Sequence, residues 1–202
     1  MKIFFSSAFL RSKTGRLLSV LFILGLVYLI IPGPGSVEDF TPLPNSVRSD
    51  LDGDTWQNPN IAAYYADFRR DYVTKFYKDQ FTRMHLFGWF LPPLKINHPP
   101  EYARSYVRDQ QESTFLEEYT YPLRESIFVN GYEPLVENTM NKKAQLAGFV
   151  GNHIWYKENP YESKATLRYY PSSVVARTIV YLLIWLSAIW FWKLARRSWK
   201  ER

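Results

Sequence analysis

A chain of 202 residues with 25 lysines and arginines, 19 acids and no cysteine is one domain's worth of sequence plus flanks. It excludes disulfides, a cysteine nucleophile, a zinc ribbon, an iron–sulfur site and a lipobox anchor. The net charge of +6 does not mark a nucleic-acid surface: residues 1–16 carry four bases and no acid, residues 193–202 five bases and one acid, and residues 17–192 sixteen bases against eighteen acids.

Residues 1–16 form a basic tail with Lys2, Arg11, Lys13 and Arg16. An apolar run from Leu17 to Ile31 follows and stops at Pro32-Gly33-Pro34-Gly35. A spanning helix needs about 20 residues, with about 17 near the lower limit. The expected first transmembrane helix, residues 17–32, is therefore short and places Gly15 and Pro32 or Gly33 in the interfaces. A cleaved signal peptide is the alternative, because Gly33 and Gly35 before Ser36 put small residues where a signal peptidase acts. The long basic region, and the proline that directly ends the apolar core, favour an uncleaved anchor.

Residues 33–57, punctuated by Pro34, Gly35, Pro42, Pro44 and Gly53, read as a linker. Within it Asp50, Asp52 and Asp54 alternate as in calcium loops, but glycine stands fourth rather than sixth and Ile61 occupies the twelfth place. A solvated turn is the expectation there. Residues 58–172 are expected to form the folded domain, without disulfides but with many aromatic groups to fill a core.

A long amphipathic helix is expected to start at Asn58 and Pro59 and to run to about Thr82, with Ile61, Tyr65, Phe68, Tyr72 and Phe76 as its buried stripe. Residues 87–93, Phe-Gly-Trp-Phe-Leu-Pro-Pro, are short and bounded by proline and read as an extended segment. Alternation would then send Trp89 and Phe90 opposite ways. One of them would face a second layer, a partner or the lipid interface, and the pair is the candidate interaction surface. A second helix is expected over 101–111. Strands follow over 114–121 and 126–132, and 145–156 is expected to pair with 164–170 as a hairpin. About two helices followed by about four strands make an α+β domain.

The second apolar segment, residues 174–192, has spanning length, with Arg177 near its end, where it can snorkel. Tyr181, Trp185, Trp190 and Trp192 suit interfacial belts. Residues 193–202 are a second basic tail. Short basic flanks stay in the cytoplasm. The expected protein therefore has both termini inside the plasma (inner) membrane and residues 37–172 outside it, with the lipid bilayer as its first partner.

No catalytic, metal or cofactor residues can be assigned from motifs. His85, His98 and His153 are too scattered for a zinc helix and read as surface or hydrogen-bonded histidines. Glu117 and Glu118 are adjacent on a strand, so they point to opposite faces and cannot share a site. There is no P-loop, dinucleotide fingerprint or nucleophile elbow.

Three stretches carry a resemblance: residues 96–118, residues 122–134 (Pro-Leu-Arg-Glu-Ser-Ile-Phe-Val-Asn-Gly-Tyr-Glu-Pro) and residues 167–172 (Leu-Arg-Tyr-Tyr-Pro-Ser). In them the chain resembles an uncharacterised group of small bacterial two-pass membrane proteins. The resemblance implies that architecture and brings no activity with it. The function expected is a non-enzymatic membrane protein whose outer domain binds or scaffolds another envelope component, a protein partner among them. The alternative is an envelope hydrolase or transferase using Glu117, Glu125 or His98.

Overall fold

Ser12 opens the first helix. Its hydroxyl accepts the Gly15 N–H at 3.0 Å, and α1 runs Lys13–Ile30. It stops because Pro32 has no N–H to continue the ladder. The structure is a computed structural model that describes residues 12–55, 60–96, 114–132 and 154–200. These divide into two compact units, one made of the chain up to Pro32 and from Ser172 onward, the other of Gly33–Pro171.

In the first unit α1 meets the last helix of the chain, Val174–Lys200. At 1.5 Å per residue their 18 and 27 residues span about 27 and 40 Å, against about 30 Å of bilayer hydrocarbon. Both are long and apolar enough to cross a membrane. They run antiparallel, since Ile31 meets Arg177, Gly25 meets Tyr181 and Phe22 meets Trp185. The Tyr181 hydroxyl donates to the Phe22 carbonyl at 3.0 Å. A Cβ on Gly25 would lie 2.2 Å from that hydroxyl, so the glycine is what lets the ring lie against the backbone. Arg177 is buried and reaches the Ile31 carbonyl at the carboxy-terminal end of α1, where a cation complements the helix dipole.

The second unit is built on an antiparallel sheet. Its strands are β1 (Val47–Arg48), β2 (Ile61–Ala66), β3 (Leu94–Lys95), β4 (Thr114–Thr120), β5 (Ser126–Tyr132) and β8 (Ser163–Tyr170), in the order β1-β2-β8-β5-β4-β3. A short helix, α2 (Asp52–Thr55), precedes β2, and a longer one, α3 (Arg70–Arg83), follows it. The last helix is α4. A separate ribbon pairs β6 (Ile154–Tyr156) with β7 (Asn159–Tyr161). The domain is thus α+β, with more strands than expected.

Four expectations change. Residues 61–66 are a strand, not the first turns of a helix. All six residues are buried, and an unbroken apolar run has no periodicity to separate strand from helix. The helix starts only at Arg70 and buries Val73, Thr74, Tyr77 and Phe81. The expected stripe lies on another side: Phe68, Tyr72 and Phe76 stack on one another at 4.3 and 5.9 Å, with Tyr72 exposed. Strand β8 pairs with β2 and β5, while Ile154–Tyr156 turns back on β7. The helix expected over 101–111, the cap at Asn58 and most of 145–156 lie outside the described residues.

The fourth change concerns residues 33–57, which carry core groups rather than a linker's polar surface. Val37, Phe40 and Leu43 are buried. Phe40 lies between Phe81 at 6.4 Å and Tyr169 at 5.7 Å, joining α3 to the sheet. The Gln80 side chain accepts the Thr41 N–H at 2.8 Å and donates to the Thr41 carbonyl at 3.1 Å, holding this strap along the helix. On the sheet face beneath α3, Tyr119 is register-paired with Ile127, and Ile127 with Tyr169.

A fragment covering residues 33–171 should therefore unfold in one cooperative thermal transition, whereas a fragment starting at residue 58 should not. Burying a valine, phenylalanine or leucine side chain stabilises by about 1.5–3 kcal/mol. Losing all three removes an amount comparable to a domain's whole stability, about 5–15 kcal/mol. Equal transitions for the two fragments by circular dichroism would show that the strap is dispensable.

Candidate functional site

The four-residue spacing of Tyr77 and Phe81 in α3 continues past its end to His85, which puts the imidazole on the buried side of the helix, against Tyr121. There its Nδ1 donates to the Phe81 carbonyl at 2.6 Å and its Nε2 lies 2.6 Å from Glu125 Oε1. Both ring nitrogens thus lie within hydrogen-bond reach of an oxygen acceptor. The same Oε1 accepts Arg124 Nη2 at 2.7 Å and Nε at 3.0 Å. The His85 and Arg124 side chains are fully buried and that of Glu125 is 3% exposed.

An aromatic shell closes the cluster. Phe81, Phe87 and Tyr121 ring His85 at centroid distances of 4.8, 5.4 and 4.3 Å, and the Arg124 guanidinium lies 5.0 Å over Phe87. Burial alone would push the Glu125 carboxyl up, but the hydrogen bonds from His85 and Arg124 outweigh it and pull the group down to about 2. Gly33 lies against the same carboxylate: a Cβ there would stand 2.3 Å from Oε1 and 3.1 Å from Arg124 Nη2. The alternative enzyme reading named Glu125 together with Glu117 and His98. His85, expected as a surface or hydrogen-bonded histidine, is buried and hydrogen-bonded, and its pairing with Glu125 is what the sequence does not show. The signal for its burial was the four-residue step from Phe81.

The other sequence candidates do not join this cluster. Glu117 pairs with Lys95 Nζ at 2.5 Å and accepts the Tyr119 hydroxyl. The registers place Glu117 opposite Val129 and Glu118 opposite Phe128, hence on opposite faces. Asp50 bonds Lys157 and Tyr156, and Asp54 is buried against Ser49 and Lys164. Among the described residues no group of three or more histidines or acids is placed to hold a metal ion. His98 and His153 lie outside the described residues. An open groove of about 350 Å³ on the outer side of α3 is lined by Thr41, Tyr72, Lys75, Phe76, Asp79, Gln80 and Arg83.

Trp89 and Phe90 sit in a tight turn rather than an extended segment. Gly88 N–H donates to His85 O, and Phe90 and Leu91 N–H to Phe87 O. A Cβ on Gly88 would meet the Thr82 carbonyl at 1.9 Å, so glycine lets the turn fold onto the end of α3. Curling replaces the two-sided alternation of a strand. Phe87 enters the core, while Trp89 and Phe90 are 86% and 62% exposed with their rings in edge contact at 4.9 Å. No family model, curated protein or solved structure matches the chain.

The ion cluster makes a pH-dependent prediction. Because Glu125 is held below the ordinary glutamate value of 4.5, its contribution is present above pH 4.5 and is lost as pH falls from there towards 2. Glu125→Gln keeps the shape but removes the carboxylate to which His85 and Arg124 donate. In the full chain in detergent it should cost about 3 kcal/mol at neutral pH, and the difference from the parent should shrink through this acid window. Thermal unfolding against pH reads both. A deficit that is unchanged at the acid end would contradict the assignment.

Proposed function

We propose that the chain is a two-pass membrane protein of the cell envelope, of the bacterial kind it resembles. Both ends are cytoplasmic, and the outer domain binds or scaffolds another envelope component without catalysing a reaction. The observation that carries this reading is the contrast within one region. The ionisable groups His85, Arg124 and Glu125 are spent on one another behind an aromatic shell, whereas Trp89, Phe90 and the Tyr72–Phe76 stack offer large apolar groups to the outside. A general acid needs a carboxyl raised towards neutrality and open to substrate; Glu125 is lowered and closed off, and Glu117 is paired with Lys95.

The orientation rests on the basic tails. An uncleaved anchor is supported by the start of the domain: removal of the chain through Gly35 would also remove Pro34, whose carbonyl accepts the Tyr169 hydroxyl at 2.6 Å, and Gly33, which covers Glu125.

Protease added to intact spheroplasts should cut the domain and spare tags at both termini, with the amino-terminal tag still attached to α1. In mild detergent the chain should migrate within an assembly larger than itself. Tyr72→Ala with Phe76→Ala should shrink that assembly without lowering the thermal midpoint. Loss of the tags would overturn the topology, and a chain that migrates alone would overturn the scaffolding role.

A further inference from the structure

Two further exposed side chains lie at the same end of the sheet as Trp89 and Phe90. Leu86 is 74% exposed in the α3 turn, and Leu123 is 46% exposed between β4 and β5. The two turns are joined by the His85–Glu125 bond and by Phe87 against Tyr121 at 5.0 Å. Leu123 is informative on its own. Arg124 N–H closes onto the Tyr121 carbonyl at 2.9 Å, so Pro122 and Leu123 are the central residues of a β-turn. Leu123 has a φ of 61° there, a conformation that favours glycine or asparagine. A large apolar side chain held in solvent by a strained backbone points to a use for that side chain.

Both ends of the domain's own chain are found at this end of the sheet. Gly33, its first residue, lies against Glu125. The strand β8 ends at Tyr170, which is register-paired with Ser126 just after the Leu123 turn. Only residues 171–173 separate Tyr170 from the start of α4. The exposed Leu, Trp and Phe side chains therefore lie at the end of the sheet from which the chain leaves for its two apolar helices. Trp155, exposed on the β6–β7 ribbon, is at the other end: Tyr156 stacks at 4.1 Å on Tyr65, whose register partner is Lys164 near the start of β8.

We propose that Leu86, Trp89, Phe90 and Leu123 form a lipid-docking foot that seats this end of the domain in the headgroup layer of the bilayer crossed by α1 and α4. Tryptophan and phenylalanine beside leucine suit that layer, where an apolar ring body meets polar headgroups. Two short covalent tethers hold the foot near the surface, so its effective concentration there is high and weak individual insertions suffice. The proposal rests on the reading that α1 and α4 span the membrane.

The absence of cysteine makes single-site spin labelling direct. Full-length variants Trp89→Cys, Phe90→Cys, Leu123→Cys, Trp155→Cys and Leu24→Cys are labelled and reconstituted in vesicles of phosphatidylcholine and phosphatidylglycerol. Accessibility is read against oxygen, which partitions into lipid, and a water-soluble nickel chelate. Labels at 89, 90 and 123 should favour oxygen over nickel several-fold more than the label at 155. Nickel accessibility at 89 and 90 equal to that at 155 would overturn the foot, as would shielding from both reagents, which marks a protein contact instead. Leu24→Cys separates the two failures: a label there that is open to nickel refutes the span, and one that is deep in lipid leaves a negative result at 89 and 90 to count against the foot alone.

Discussion

The carboxylate of Glu125 is the constraint around which one end of the domain is arranged. A buried carboxylate is tolerated only with charged and hydrogen-bonding partners, and here they come from different parts of the chain. His85 arrives from just past the end of α3 and Arg124 from the neighbouring position in the turn, and Gly33, the first residue of the domain, lies against the same carboxylate. Removing His85 or Arg124 takes a hydrogen-bond donor from a buried carboxylate. The cluster therefore fixes where α3 ends, how the β4–β5 turn curls and where the chain enters the domain.

From that anchor the rest of the packing follows in order. Phe81, one turn before His85, lies against Tyr121 and Phe40, and Phe40 brings the strap of residues 37–43 onto β8 through Tyr169. The tyrosine hydroxyl returns to the Pro34 carbonyl, next to Gly33. The exposed groups are set by the same anchor: once Phe87 is drawn into the shell, the tight turn at Gly88 leaves Trp89 and Phe90 outside.

The apolar helices are legible in sequence because length and composition alone carry that signal. Strands β4 and β5 are legible because aromatic and β-branched residues sit between clear turns, whereas nothing local sets Glu125 apart from Glu117. The 61–66 strand was not legible, since a strand buried on both faces loses the period of two that identifies it. The strap was hidden by its prolines, which mark irregular backbone without saying whether the residues between them are buried. The partnership of His85 with Glu125 spans 40 positions and depends on how α3 lies on the sheet, which no local pattern encodes. Trp89 and Phe90 could be singled out as large apolar groups in a short segment, but their shared exposure depends on the contact of Gly88 with Thr82.

The most direct test of this account is the thermal midpoint of Gly33→Ala beside Gly35→Ala in the full chain. Neither glycine needs a left-handed backbone, and the two stand two residues apart, but their surroundings differ. A Cβ at 33 would press on Glu125 at 2.3 Å, while one at 35 would meet Asp39 Oδ2 at an ordinary 3.5 Å. Overpacking of that severity costs about 1–3 kcal/mol, so Gly33→Ala should lower the midpoint by roughly 5–10 °C while Gly35→Ala leaves it nearly unchanged. Equal midpoints for the two variants would contradict the placement of the chain entry on the Glu125 cluster.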